Sequence, residues 1–412
     1  MPDTHLPGIH DAGDAQPRAL HLHRDAVLRV LRPLIAQELA SLTGRRLSPA
    51  EADGWPDDLD LGEDGLGLDS LGSIACAAAV DRLFHLHETG AEGHLLLERR
   101  LGAWTGIVQA ALEHGVSGFT FASSGSTGRP KRFTHSLPCL LAEAAHWAAT
   151  FAGRRRIVLA VPAHHIYGMI FGVLLPEALG VPVLERRGAV PGAILRDLRP
   201  GDLLVGFPAG HALLADAAVA PPPDVVATSS TAPLPAATHR ALRALGFAGV
   251  TEVYGSSETA GIACRTGPDE PYRLLPRWRP AGADALFDTL TRRATPLPDH
   301  VEWVGPDTLR PATRRDQVVQ VAGTNVHPAQ VAEALREHPG VAAAAVRLDT
   351  ALPEPRLKAF VVPSPGADMA VLPAALDAWC ASRFPAPERP VRFAFGAALP
   401  CNPLGKAADW EG

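Results

Sequence analysis

Between residues 118 and 312 the chain alternates short β-rich runs with helix-like stretches, and this alternation limits the folds open to it more than any other feature. The runs at 157–161, 203–206, 225–227 and 250–253 are each followed by a turn and a helical segment. Repeated strand–helix units lay strands side by side in a mostly parallel sheet, with helices crossing over its faces. Ligands of such sheets gather outside the carboxyl ends of the strands. The polar motifs of this chain stand there: 162–168 behind the first run, 229–233 behind the third and 254–258 behind the fourth.

The rest of the 412 residues divides around that core. Residues 1–23 read as a disordered leader, without the apolar run of a signal peptide. Residues 24–113 read as helical throughout, with helices near 25–43, 71–87 and 100–112. The core is expected over 118–315. Residues 316–412 read as a small α+β domain, with strands at 318–321, 341–348, 357–362 and 391–395 and helices at 328–336 and 371–383. Pro328 suits the first turn of a helix. A net charge of −6 gives no basic excess for nucleic acid. Five scattered cysteines without a Cys-x-x-Cys pair argue against a disulfide framework and for a reducing, cytoplasmic setting. No apolar stretch is long enough to span a bilayer. The histidines show no His-x-x-x-His or His-Glu-x-x-His metal spacing on a helix.

The segment Ser123-Ser124-Gly125-Ser126-Thr127-Gly128-Arg129-Pro130-Lys131 combines glycine-exposed amides, hydroxyls and an ammonium, the makings of a polyphosphate nest. It is not the P-loop of G-x-x-x-x-G-K-[ST]: Pro130 stands where glycine is required, and Arg132 where serine or threonine is. The segment does resemble the phosphate loop of the adenylate-forming enzymes, the superfamily of acyl- and aryl-CoA synthetases and carrier-protein adenylation domains, at every position from Ser123 to Lys131. Residues 254–258 strengthen the resemblance, since they are similar to that family's Tyr-Gly-x-Thr-Glu motif with Ser257 at the threonine.

The resemblance covers about 118–412 and implies a set of roles. ATP polyphosphate is held by 123–128 and Lys131. Glu258 ligates Mg²⁺, a hard cation that takes oxygen donors. Tyr254, Gly255 and Ser257 lie against the nucleotide, with Tyr254 stacking on adenine. Ala232 and Pro233 also border adenine, in a stretch where Ser230 and Thr231 replace the family's paired glycines. Asp299 and Arg314 hold the ribose, although Thr313 replaces a glycine there. His165, Tyr167 and Gly168 border the acyl pocket, to which His211 contributes. Asp316 is the hinge between two half-reactions. The loop at 321–328, preceded by Gln320 where the family has lysine, enters the site for thioester formation. Lys406 reaches the carboxylate and α-phosphate during adenylation, making Lys406, Lys131 and His165 the catalytic set. The stretch between Glu258 and Asp299 is short for the family, so a β-barrel subdomain is trimmed.

Residues 67–71, Gly-Leu-Asp-Ser-Leu, resemble the phosphopantetheine site of acyl carrier proteins, with Ser70 the modified serine. Two readings stay open: a working carrier domain, or a carrier-like helical scaffold. Residues 74–80 are apolar on every face, and a helix of that kind is buried, which favours the scaffold.

The fold implied is α/β: a large, trimmed domain with a mostly parallel sheet, a small mobile α+β C-terminal domain and a helical carrier-like N-terminal segment. The function implied is ATP-dependent activation of a carboxylic acid to an acyl-adenylate, then transfer to the thiol of CoA or of phosphopantetheine on an acyl carrier protein. A small aryl acid such as a hydroxybenzoate is the expected substrate. A medium- or long-chain acyl ligase, or a non-catalytic nucleotide- or carrier-binding partner, is the alternative.

Overall fold

In a computed structural model, residues 16–123, 131–217, 219–314, 318–350, 352, 354–400 and 410 are described, without the side chains of 123, 313 and 314. The described chain forms two compact units. One takes in residues up to 123, 132–297 and 302–310; the other takes in 131, 298–301 and the residues from 311 on.

The first unit opens with helices α1 (Arg24–Thr43), α2 (Pro49–Asp53), α3 (Ser70–Phe84), α4 (Glu92–Leu97) and α5 (Leu101–His114). Each boundary has a local cause. Gly44, left-handed at φ 71°, ends α1. Ser48 and Glu51 form a reciprocal capping box on α2. Asp69 caps α3 by accepting from the Gly72 amide at 2.7 Å. Residues 16–23 are ordered against the helices: Arg18 pairs with Val116, the Leu20 amide donates to the Leu112 carbonyl of α5, and Leu22 is buried. The apolar helix is also less buried than expected. In α3 Leu71 is 75 % and Ile74 51 % exposed, and Ser70 is exposed, while Cys76, Val80 and Phe84 face inward. Alanines on the outer face cost little to expose, so an all-apolar run here does not mean an all-buried helix.

β1 (Gly118–Ser123) and β2 (Lys131–Ser136) pair as a ribbon, and α6 (Leu137–Thr150) follows. The strand–helix alternation then runs β3 (Arg156–Leu159), α7 (Ile166–Met169) continued by a wider turn to α8 (Leu175–Leu179), and β4 (Val183–Glu185). Next come α9 (Pro191–Asp197), β5 (Asp202–Gly206), α10 (Pro208–Ala215), β6 (Val226–Ser229), α11 (Ala236–Leu245) and β7 (Gly249–Ser256). Antiparallel strands β8 (Ala260–Arg265) and β9 (Tyr272–Leu274) come next, then a small sheet of β10 (Trp278–Pro280), β11 (Ala285–Asp288) and β12 (Arg293–Pro296). β13 (Asp299–Gly305) and β14 (Thr308–Arg314) complete the main sheet, ordered β13-β14-β9-β8-β7-β6-β5-β3-β4. The five strands from β4 to β7 are parallel. β5 is buried along its whole length, as a central parallel strand covered on both faces must be.

The second unit has hairpin β15 (Val319–Val321)–β16 (Thr324–Val326), helix α12 (Pro328–Arg336), strands β17 (Val341–Asp349) and β18 (Arg356–Pro363), helix α13 (Leu372–Arg383) and strand β19 (Pro390–Phe395). Ala322 and Gly323 both have positive φ, the two-residue turn whose twist matches antiparallel strands. Val331 and Leu335 of α12 pack with Leu357 and Val361 of β18 and Leu376 of α13 in one core. No helix among the described residues is long and apolar enough to cross a membrane.

Candidate active site

Parallel registry aligns the strands. Leu159 pairs with Val205, Gly206 with Ser229, and Ser229 with Glu252, so the turns after β3 and β6 leave the same edge of the sheet, and β7 runs on past them to Ser256. Hydrogen bonds then draw the motifs together. The Tyr167 hydroxyl lies 2.8 Å from Thr228 Oγ1, fastening the turn after β3 to the end of β6. Ser230 Oγ donates to the Val253 carbonyl at 2.9 Å, fastening the turn after β6 beside Tyr254. His135 of β2 donates from Nε2 to the Ser257 carbonyl at 2.8 Å, fastening the ribbon that carries the phosphate-loop sequence to the Glu258 turn.

The 162–168 turn closes tightly. A Cβ on Gly168 would lie 1.9 Å from the Pro162 carbonyl oxygen, so only glycine fits. His165 is exposed at the start of α7, its ring 4.1 Å from that of His164. His164 is buried and donates from Nε2 to Gln37 of α1 at 3.0 Å. Burial, His165 and Arg187 all push its pKa well down, so His164 is neutral. His211 of α10 is 1 % exposed and donates from Nε2 to the Thr228 carbonyl at 2.8 Å. Burial lowers its pKa to about 4. Neutral His211 therefore carries its lone pair on Nδ1. That atom and Ser229 Oγ, at the same strand end, are buried without a hydrogen-bond partner among the described residues.

The adenine-border segment is pinned at both ends. Beyond Ser230, the Leu234 amide donates to Glu252 Oε1 at 2.8 Å, and the other Glu252 oxygen takes Arg265 at 2.6 Å. Between these pins Thr231 has φ 78°, a left-handed conformation that a β-branched residue adopts only under strain. This is the position where the family places a glycine. Ala232 is half-buried and Pro233 exposed.

The backbone just beyond the Tyr254–Glu258 turn, at Thr259 and Gly261, is held by three side chains. The Gly261 amide donates to the buried Glu143 carboxylate at 3.1 Å, Trp278 Nε1 donates to the Gly261 carbonyl at 2.7 Å, and Arg277 Nη2 donates to the Thr259 carbonyl at 2.9 Å. Burial pushes the Glu143 pKa up, against the pull of Arg277. Gly255 is held so close that a Cβ would lie 2.3 Å from the Ala260 carbonyl oxygen. Tyr254 is half-buried, its ring 5.8 Å from that of Tyr272. Glu258 is half-buried, and its carboxylate makes no hydrogen bond or ion pair with the described residues.

Other expected site residues are placed without being gathered here. Ser123 ends β1 and Lys131, exposed, opens β2. Asp299, buried, opens β13, and Arg314 closes β14. Residues 124–128, Asp316 and Lys406 lie outside the described residues. His135, Glu143, Glu252 and Arg277 were not singled out from sequence. Only strand alternation, which puts His135 on the same face as Lys131, hinted at any of them.

The order of elements is the one the resemblance to adenylate-forming enzymes implies: a glycine-rich segment between paired strands β1 and β2, then motifs at the ends of β6 and β7. Comparison with known proteins agrees. The AMP-binding enzyme family profile matches residues 119–282, and the AMP-binding enzyme C-terminal domain profile matches 330–406. The chain is 40 % identical over 390 residues to a 4-coumarate–CoA ligase of Halorhodospira halophila, covering 93 % of this chain and 99 % of that one. It is 39 % identical over 419 residues to a 4-coumarate–CoA ligase of Cereibacter sphaeroides, covering 97 % and 99 %. Among solved structures, an o-succinylbenzoate CoA synthetase from Bacillus subtilis shares the fold with a TM-score of 0.61 at 17 % identity, covering 92 % of this chain and 91 % of that one. The protein belongs to the AMP-binding enzyme family and is an AMP-forming acid–thiol ligase. Those alignments cover more than nine-tenths of this chain, so most of the helical stretch at 24–113 lies within the part shared with these ligases.

Proposed function

We propose that the protein activates a 4-hydroxyaryl acid of the 4-coumarate type with ATP and transfers the acyl group to CoA. The observation that carries the choice of acid is the pair of buried polar atoms without a partner among the described residues, His211 Nδ1 on α10 and Ser229 Oγ at the end of β6. A purely apolar acyl chain leaves both unsatisfied, which is costly in a buried site. A phenol hydroxyl donates to the Nδ1 lone pair. The names of the relatives point to the same acid class.

In the first half-reaction a carboxylate oxygen attacks the α-phosphorus and the bond to pyrophosphate breaks. In the second the thiolate sulfur attacks the acyl carbon, AMP leaves, and the thiol proton passes to solvent. Residues 123–128 and Lys131 hold the polyphosphate, and Tyr254, Gly255, Ser257, Ala232 and Pro233 border the nucleotide. Asp299 and Arg314 hold the ribose. Lys406 neutralises charge at the α-phosphate, and Asp316 is the hinge. Glu258 would ligate Mg²⁺: a half-buried carboxylate without a partner among the described residues is an oxygen donor in reserve. His165, Tyr167 and Gly168 border the acid, with His165 beside its carboxylate. The C-terminal domain begins near 316, and the protein acts in the cytoplasm.

Pyrophosphate exchange and CoA-thioester formation across 4-coumarate, cinnamate, 4-hydroxybenzoate and octanoate test the reading. The expected order puts 4-coumarate first, with cinnamate at least tenfold lower in kcat/KM, since a site that hydrogen-bonds a hydroxyl rejects the analogue lacking it. His211→Phe narrows that gap. Octanoate as the best acid refutes the aryl assignment, and thioester formation only on a carrier protein refutes CoA.

A further inference from the structure

One cluster of ligating side chains lies apart from the active-site motifs. α3 ends at Phe84, and His85 caps it in the left-handed conformation, φ 55° and ψ 42°. The reversal folds Leu86–Glu88 back over the helix end, and it brings three donors to one place, with Asp81 beside His87. The Nδ1 of His85 lies 2.9 Å from Glu88 Oε1. The Nδ1 of His87 lies 2.9 Å from Asp81 Oδ1. Ligand atoms of His85, His87 and Glu88 all fall within 4.8 Å of one another.

Two of these donors are already held by groups outside the cluster. His85 is buried, and its Nε2 lies 2.7 Å from Thr120 Oγ1, which in turn lies 2.7 Å from Thr134 Oγ1. Glu88 Oε2 accepts from the Ser117 amide at 2.6 Å. When Nε2–H donates to Thr120, the Nδ1 lone pair of His85 confronts a carboxylate oxygen at hydrogen-bond distance. In the other tautomer Nδ1–H donates to Glu88 and Nε2 accepts from the Thr120 hydroxyl, so it is the Nε2–H form that leaves Nδ1 open to a metal ion. Outer partners that fix a ligand's orientation in this way are the usual supports of a metal site.

We propose that His85, His87 and Glu88, with Asp81 as fourth donor, bind a divalent first-row transition metal, Zn²⁺ fitting best. Two imidazoles and two carboxylates are a borderline N/O set that favours such an ion over Mg²⁺ or Ca²⁺. Bonds of about 2.0–2.1 Å ask the donors to close from their present spread. His87 is the exposed and adjustable member, while His85 is fixed. The metal then ties the end of α3 to Ser117 and, through Thr120, to β1, the strand that leads into Ser123.

The test is Zn²⁺ titration of the EDTA-treated full-length protein by calorimetry, with Co²⁺ absorption as a second readout. The expected result is one saturable equivalent with a four-coordinate Co²⁺ spectrum. His87→Ala, an exposed change that leaves the metal-free thermal midpoint in place, weakens binding at least tenfold. Thr120→Val weakens it by about tenfold or more. The chain has 17 histidines, so equal binding by wild type and His87→Ala assigns the metal elsewhere and overturns the proposal. Absence of saturable binding overturns it as well.

Discussion

The turn after β7 and the start of α3 both carry a short motif with an acidic residue and a serine, yet the fold uses them in opposite ways. At 254–261 the backbone is braced by His135, Glu143, Arg277 and Trp278, none of them in the motif, and the Glu258 carboxylate is left without a partner among the described residues. At 67–71 the motif braces itself. Leu68 is buried, and Asp69 spends its carboxylate on the Gly72 amide. A helix that begins in solvent needs such a cap, so Asp69 before Ser70 is accounted for without a prosthetic group. Likeness to a motif has chemical weight where the fold supplies the support and the side chain is held in reserve.

Glu258→Ala separates the two regions most sharply. Loss of a charged group that organises the transition state costs about 10²–10³-fold in rate. Carboxylate-dependent pyrophosphate exchange is expected to fall by that factor, and the thermal midpoint is expected to stay put because the carboxylate bonds none of the described residues. A large drop in midpoint would mean that Glu258 is spent on the fold after all. Lys406→Ala is expected to lose exchange to a similar degree while still forming thioester from pre-made acyl-adenylate, and equal loss of both half-reactions counts against its role in adenylation.

Asp69→Ala runs the other way. It is expected to cost about 1 kcal/mol of stability, the usual worth of an N-cap, with kcat/KM nearly unchanged. Denaturant unfolding and steady-state assays read the two effects. Ser70 remains exposed, so intact mass after co-expression with a phosphopantetheinyl transferase is informative here. A gain of one phosphopantetheine, absent in Ser70→Ala, would restore the carrier reading.

The strand–helix alternation and the C-terminal domain were legible because apolar runs and turn residues are local signals; the helix at 328–336 agrees with α12 to the residue. The motifs were legible because they are short and contiguous. The braces were not, since Glu143 meets Gly261 across 118 residues and His135 meets Ser257 across 122. Nor was the cluster at 85–88, whose histidines stand two apart. That spacing gives no common face in a helix, and only the left-handed turn at His85 brings them together. The exposure of Leu71 and Ile74 was missed for a further reason: composition says what a helix is able to bury, and neighbours decide which side is covered.

Thr231 gives the smallest expected effect and bears most directly on the comparison. Its φ of 78° is strained for a β-branched residue, and it lies between pins at Ser230 and Leu234 that hold the backbone in place. Glycine relieves that strain but loosens the unfolded chain, and the two effects leave a net gain of about 1 kcal/mol in Thr231→Gly. Denaturant midpoints at constant slope measure it. If stability rises and KM for ATP is unchanged, the strain is a cost of the sequence change alone. If KM for ATP rises as well, the threonine shapes the adenine border, and this turn belongs with Glu258 among the residues that the fold holds ready for the ligand.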